Sequence, residues 1–288
     1  MSEYIVITDS ACDISPKILG EWGVPFRSLT FRFDGDEKEY SNFDLSATEF
    51  YARMRQGGIA KTAAVNVENF VQVFEEYLQK GIDVLYLGFS SGLSTTYNSA
   101  RLAGEQLKEK YPERKIITVD TLSASAGFGL LLYLTLKKKN EGATIEEAAK
   151  FAEDNKLHLC HWFTVDDLVY LKRGGRVSPT VAFVGNVLGI KPVLHMDDEG
   201  HLINMTKVRG RRTSVEALAQ KYDELALTPD AGTVFISHGD CMADAEYLAS
   251  VIKNKHGVEV EIITDVGPVI GAHAGPGVLA LFFLGKER

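Results

Sequence analysis

Seven consecutive residues, Ser90-Ser91-Gly92-Leu93-Ser94-Thr95-Thr96, carry five hydroxyl side chains around a single glycine. The run leaves an apolar segment at 84–89 and enters a helical pattern that opens near Ser94 and continues past Leu107 to about Tyr111. It therefore sits where a strand turns into a helix. Free N–H groups at a helix start, with Ser and Thr hydroxyls beside them, suit an anion such as a phosphate or carboxylate. A hydroxyl that caps its own helix accounts for one of the five, not for all of them.

The same loop reads Gly88-Phe89-Ser90-Ser91-Gly92, a match to the G-x-S-x-G nucleophile elbow, and His273 follows late in the chain. The alternative reading is thus a serine hydrolase or esterase using Ser90 and His273 with Asp240 or Asp265. Against it, no HGGG-type oxyanion segment lies upstream, and Leu93-Ser94-Thr95 separates the elbow from the helix that should follow directly.

Three other groups of small polar residues stand at expected strand ends, where ligands gather in open α/β sheets. They are Thr8-Asp9-Ser10, Lys61-Thr62, and the segment 267–277, GPVIGAHAGPG. Glycines in that last segment permit close backbone approach to a ligand. His273 within it could donate to a carboxylate or simply hold a loop carbonyl. Asp9, Ser10 and Asp13 are read as caps of the first helix. His158-Leu159-Cys160-His161 places its ligand types on opposite faces of a strand, which does not gather a metal. No G-x-x-x-x-G-K-[ST] loop and no G-x-G-x-x-G after the first strand is present.

The elements that must position these groups alternate. Strand patterns at 4–8, 84–89 and 116–119 are separated by helical spacing at 67–79, capped by Asn66, and at 94–111. That alternation marks βαβ units and a parallel sheet. Beyond a helix at 145–157 come a strand at 159–163, short helices at 165–171 and 178–188, and a hairpin of 192–196 with 201–207 turned by Asp197-Asp198-Glu199-Gly200. A helix at 214–225, a strand at 233–238, a helix at 242–255 and a strand at 258–264 complete the pattern. The fold class is α/β and two-lobed: an N-terminal parallel-sheet domain at 1–160 and a second α/β domain at 161–288, with the 267–277 segment reaching the site.

The 288 residues carry a net charge of −8, with 45% hydrophobic and 24% charged residues. Such a surface is not one for nucleic acid, and membrane contact is at most transient. Three cysteines without metal spacing suit a reducing cytoplasm. The apolar run 130–136 is short for a span and reads as a buried helix. Two basic groups stand out against the acidic whole, Lys172-Arg173-Gly174-Gly175-Arg176 and Lys207-Val208-Arg209-Gly210-Arg211-Arg212. They are either a solvated face or a docking surface for an acidic or phosphate-carrying partner.

Taken in order, these motifs resemble the DegV family, bacterial fatty-acid-binding proteins that include the carrier subunit of fatty acid kinase. The resemblance covers the whole chain. It is carried by Thr8-Asp9-Ser10 with Asp13, Lys61-Thr62, SSGLSTTYNSA at 90–100, ITVDTLSASAGFG at 117–129, DDLVYLKRGGRVS at 166–178, KPVL at 191–194, KVRGRR at 207–212, ISHGD at 236–240 and GPVIGAHAGPG at 267–277. It implies a single long-chain fatty acid as ligand, its chain in a tunnel of the N-terminal lobe and its carboxylate where the lobes meet. The head-group residues it implies are Thr62 and Ser94 with His273 close by, and Ser91, Gly92 and Thr95 from the same loop through backbone N–H groups. Arg173, Arg176 and Arg209 resemble residues of partner docking or head-group handling. The resemblance further implies a cytoplasmic carrier without catalytic activity, cofactor or metal, which presents the carboxylate to a partner kinase. Two departures flank the site: Ala63-Ala64-Val65-Asn66 follows Lys61-Thr62 where the family has Ser and a Pro-Ser pair, and Thr95 replaces a Gly.

Overall fold

The computed structural model describes residues 3–177 and 189–288. The helix expected at 178–188 lies outside them. In chain order the first half contains β1 (Tyr4–Asp9), α1 (Pro16–Glu21), β2 (Phe26–Arg27), β3 (Thr30–Phe33), β4 (Tyr40–Ser41), α2 (Ala47–Arg55), β5 (Ala60–Ala63), α3 (Val67–Leu78), β6 (Asp83–Gly88), α4 (Thr96–Lys110), β7 (Ile116–Asp120), α5 (Ser125–Asn140) and α6 (Ile145–Asn155). Strands β2-β1-β6-β7 form a parallel sheet, as the βαβ alternation requires. Phe70, Phe74 and Leu78 of α3 are buried at helical spacing, and the Asn66 side chain caps the helix by accepting from the Asn69 N–H.

The second half contains β8 (Leu159–Thr164), α7 (Val169–Gly174), β9 (Ile190–Met196), β10 (Leu202–Arg209), α8 (Arg211–Leu225), β11 (Phe235–His238), α9 (Met242–His256), β12 (Ile262–Asp265), α10 (Pro268–Ala274) and β13 (Leu279–Leu284). Its six strands run in the order β10-β9-β8-β13-β11-β12, antiparallel except for β11 with β12. The hairpin of β9 and β10 stands as expected around the Asp197-Gly200 turn, where the Gly200 N–H donates to the Asp197 carbonyl.

Period-two alternation divides this second sheet into two faces. Cys160, Trp162, Ile236, Leu279, Leu281 and Phe283 pack on the side of α8 and α9. Leu159, Phe163, Phe235, Ala280 and Phe282 face the other way, where α5 lies against β8, β11 and β13. Most of α5 from Ser125 to Leu132 is buried. The apolar run at 130–136 is therefore a helix hydrophobic nearly all round because protein covers it on several sides.

Several elements differ from expectation. The helix expected from Ser94 begins at Thr96, because Ser90 to Ser94 forms a turn in which the Leu93 and Ser94 N–H groups both donate to the Ser90 carbonyl. The helix expected at 165–171 is α7, which starts later where Asp167 accepts from the Val169 N–H. A small antiparallel sheet, β4-β3-β5, was not expected. Neither was a helix within 267–277, yet α10 opens there with Pro268 in its first turn.

Asp9 does cap the turn after β1, but it does more. Its fully buried carboxylate accepts from the Ala11 N–H, the Phe89 N–H and the Tyr86 hydroxyl, at 3.0, 3.0 and 2.6 Å. It ties the end of β1 to the end of β6, just before the serine loop. Burial pushes its pKa up to about 6 against the pull of those three donors. Replacing Asp9 by Ala orphans three buried donors and is expected to cost about 3–5 kcal/mol. Urea unfolding measures this; a cost below about 1 kcal/mol would remove Asp9 from this bracing role.

Candidate functional site

One face of the second sheet, the end of the first, and α10 enclose a cavity of about 500 Å³. That volume lies within the range of small-molecule sites. Its wall is mainly apolar, including Leu29, Phe89, Phe163, Met196, Val269 and Phe282. Thr62, Ser91, Ser94, Thr95, Arg176 and His273 line it as well. The structure thus brings together, from four separate stretches of sequence, most of the residues singled out above. Gly92 is not in the wall.

Thr62 lies on β5, and its Oγ1 stands 2.8 Å from Nε2 of His273 on α10. The other ring nitrogen, Nδ1, is buried without a partner among the described residues. It packs so closely on α7 that a Cβ at Gly174 would stand 2.2 Å away. A buried lone pair without a donor is more tolerable than a buried N–H without an acceptor. We therefore assign the proton to Nε2, which donates to Thr62 Oγ1 and leaves the Thr62 hydroxyl proton free to turn toward the cavity.

Ser94 is arranged in the same sense. Its Oγ accepts from the Thr96 N–H at 3.2 Å and stands 2.9 Å from Thr96 Oγ1, which accepts from the Val65 N–H at 3.4 Å. Thr96 is fully buried, and Ser94 Oγ is the acceptor in reach for its hydroxyl proton. A chain of donors then runs Val65, Thr96, Ser94, and its last proton is the one on Ser94. Ser94 does cap its helix, and a proton remains available to a ligand. Thr95 makes no side-chain cap bond.

The backbone N–H groups of the loop are a different matter. Those of Ser91 and Gly92 donate to Asp120 Oδ1 and Ser90 Oγ, both at 3.2 Å, and those of Leu93, Ser94 and Thr96 are engaged within the turn. This corrects the expectation that Ser91 and Gly92 supply N–H groups to a ligand. Among the described residues only the Thr95 N–H of this turn has no bond within the fold. Apart from that N–H, the donors this turn offers the cavity are hydroxyls.

Two further points concern charge and placement. Arg176, expected in partner docking or head-group handling, is half-buried and lines the cavity, with Nε donating to the Leu93 carbonyl at 3.3 Å. The site thus includes a cation as well as hydroxyls and an imidazole. The cavity also does not lie inside the N-terminal half, since Phe163, Leu171, Met196, Leu202, Val269 and Phe282 of its apolar wall all come from beyond residue 160. Arg173 and Arg209, in contrast, are exposed. Nearby Arg211 and Arg212 are paired with Asp244 and Glu216 at 2.8 and 3.2 Å.

The hydrolase geometry is not assembled. Ser90 is fully buried, donates to the Gly200 carbonyl at 2.9 Å and accepts from the Gly92 N–H. No hydrogen bond among the described residues joins it to His273. Asp240 is paired with Arg55, and Asp265 stands 3.6 Å from His238.

The whole chain from 4 to 286 matches the family model described as "Uncharacterised protein, DegV family". The chain belongs to the DegV family. A DegV domain-containing protein of Clostridium perfringens is 43% identical over 289 residues, covering 100% of this chain and 99% of the relative. Among solved structures, a DegV lipid-binding protein of Thermotoga maritima is 31% identical with a TM-score of 0.85, covering 99% of both chains. A stearic acid-binding protein of Eubacterium ventriosum is 27% identical with a TM-score of 0.88, covering 98% of both.

In this DegV-family chain, burial first and then the Arg176 charge hold the His273 pKa down to about 4. His273 is therefore neutral at pH 7. Below pH 6.5 the unfolded chain takes up a proton at this imidazole that the folded chain refuses until about pH 4. Its contribution to stability is therefore full above pH 6.5 and is lost as pH falls through that window. His273→Gln is expected to lose less stability than the unsubstituted protein between pH 7 and pH 4.5. Urea midpoints at the two pH values test this, and equal losses would mean that His273 titrates normally.

Proposed function

We propose that this protein holds one long-chain fatty acid in the cavity, its carboxylate against Thr62 and Ser94, with His273 behind Thr62 orienting its hydroxyl. The observation that carries the reading is the pair of hydroxyls, Thr62 and Ser94, whose neighbours leave each a proton to give, at the rim of a mainly apolar chamber. A carboxylate taken out of water needs several directed donors. An alkyl chain gains about 0.8 kcal/mol per buried CH₂. Ser91 and Thr95 are exposed at the mouth and Thr62 and Ser94 half-buried, so the head group would stand within reach of a second protein. Stearic acid binding by the Eubacterium ventriosum relative supports the ligand class.

On this reading the chain is a cytoplasmic carrier of two lobes, 1–160 and 161–288, without catalysis of its own. A partner kinase phosphorylates the presented carboxylate, and Arg173 and Arg209 meet that partner. Among the described residues no helix is long and apolar enough to cross a membrane. The engaged hydroxyl of Ser90 disfavours the esterase reading.

Lipid extracted from freshly purified protein is expected to contain near-stoichiometric fatty acid by mass spectrometry. Thr62→Ala with Ser94→Ala removes two charge-assisted bonds and should weaken stearate binding by about 3 kcal/mol, roughly a hundredfold. Unchanged affinity would refute the head-group assignment. Arg173→Ala should keep stearate affinity and lose acyl-phosphate formation with the kinase; equal loss of both would move Arg173 into the ligand site.

A further inference from the structure

Deeper in the cavity, away from the hydroxyls at its rim, three more polar residues line the wall: Ser125, Ser237 and His161. They stand among Ala124, Phe163, Ala280 and Phe282. The alternation of β8, β11 and β13 puts them there, because Ser237 pairs with Ala280, Ala280 with Phe163, and Phe282 with His161. At about 3.3 Å per residue, Phe282 lies roughly 13 Å along β13 from Val278, which borders the loop after α10.

The direction of each hydrogen bond can be assigned. Above about pH 7, where Asp13 is ionised, both oxygens of its carboxylate act as acceptors: Oδ1 takes the Gly267 N–H at 3.0 Å, and Oδ2 takes the Ser125 hydroxyl at 2.6 Å. With the Ser125 proton directed to Asp13, the 2.9 Å contact between Ser125 Oγ and Ser237 Oγ must be made by the Ser237 proton. Lone pairs on both serine oxygens then remain without a donor among the described residues. His161 Nδ1 stands 2.9 Å from the Leu159 carbonyl, which can only accept, so the ring proton is on Nδ1. Nε2 is therefore also a lone pair, and its nearest donor, the Ala124 N–H, is at 3.5 Å, the limit of hydrogen-bond distance.

This part of the cavity thus offers three acceptors and no side-chain donor. A plain alkyl chain brings no donor to the lone pairs left on Ser125 and Ser237 or to the weakly engaged His161 Nε2; an alcohol supplies one O–H, whereas a ketone brings only another acceptor. We propose that the cavity takes long-chain acids bearing a hydroxyl along the chain, whose single O–H donates to one of the Ser125, Ser237 and His161 acceptors. The proposal rests on the fatty-acid reading above and specifies the ligand class within it.

The test is a binding series on the full-length protein: stearic acid, hydroxystearic acids with the hydroxyl moved stepwise along the chain, and the oxostearic acid matching each. At one position the hydroxy acid should bind at least as tightly as stearate and about tenfold or more tighter than its oxo counterpart, a 1.4 kcal/mol difference. Ser237→Ala and, separately, Ser125→Gly should each reduce that hydroxy-to-oxo ratio by about threefold or more, with every affinity taken against stearate in the same variant. Glycine suits position 125, where φ is 54°. Similar weakening by hydroxyl and oxo groups at every position, or a ratio that survives both substitutions, would overturn the proposal. Failure of stearate itself to bind the unsubstituted protein would instead sink the fatty-acid reading, and the proposal with it.

Discussion

The buried Asp13 carboxylate is the contact on which the arrangement of the site depends. It belongs to the first half of the chain, yet its two oxygens are held by Ser125 at the start of α5 and by the Gly267 N–H just before α10. The Asp13 carbonyl also accepts from Thr264 Oγ1 on β12, and Ser237 on β11 joins through Ser125. Asn42 adds a parallel tie, donating to the Ser10 carbonyl and accepting from the Val269 N–H in the first turn of α10. These bonds fix where α10 starts and therefore where His273 stands opposite Thr62. Burial raises the Asp13 pKa to about 7 even with these donors around it, which shows how much desolvation the junction sustains. The backbone is unusual here too: Asp13 and Ser125 both have positive φ, at 51° and 54°. Strain of that kind persists only where surrounding contacts over-determine it.

How much of this was legible in the sequence depended on element length and on who covers each face. Strands β1, β6 and β7 could be read because a parallel sheet is covered on both sides and its strands are short apolar runs. Their sites could be read as well, since ligands gather at strand ends. The β4-β3-β5 sheet could not. Two of its strands have four residues and one has two, and Arg32 and Lys61 alternate with the side chains they bury. That is too little period for a pattern. Helix α10 was hidden for another reason. Its glycines argue against a helix, but at Gly271 a Cβ would stand 2.5 Å from the Tyr51 hydroxyl, so tight packing dictates the residue and overrides helix propensity.

The site residues were legible by type but not by role. Five hydroxyls in seven residues pointed to an anion, and three of them, Ser91, Ser94 and Thr95, line the cavity. What periodicity could not show is how the loop satisfies itself. Ser90 turns inward to Gly200, and the N–H groups of Ser91 and Gly92 are taken by Asp120 and Ser90. Its basic run left Arg176 open between a solvated face, partner docking and head-group handling. Its place in the cavity follows from α7 packing on α10, a contact between elements about a hundred residues apart. His161 stood only in a group dismissed as a metal site, and Ser125 and Ser237 only inside longer motifs, because each looks like an ordinary buried residue until the strands are laid side by side.

The polarity of the chamber follows from these assignments. At the rim, His273 and Thr96 donate into Thr62 and Ser94, so both hydroxyls present protons. At the other region, Asp13 and the Leu159 carbonyl accept from Ser125 and His161, so the same chemical groups present lone pairs. A serine or histidine has no fixed sign of its own; the neighbour behind it sets which way its hydrogen points. Behind the rim stand a neutral imidazole and a helix start, and behind the inner group stands the buried Asp13 carboxyl, an acceptor at both oxygens when ionised. One end therefore suits an acceptor such as a carboxylate, while the inner wall repels it by presenting only acceptors. An extended ligand with a single carboxylate can satisfy the chamber in one direction only, head at the mouth and chain inward. The Asp13 contact that joins the two halves is thus also what makes the inner wall an acceptor surface, and on the proposed reading the ligand's orientation follows from the same bonds as the fold.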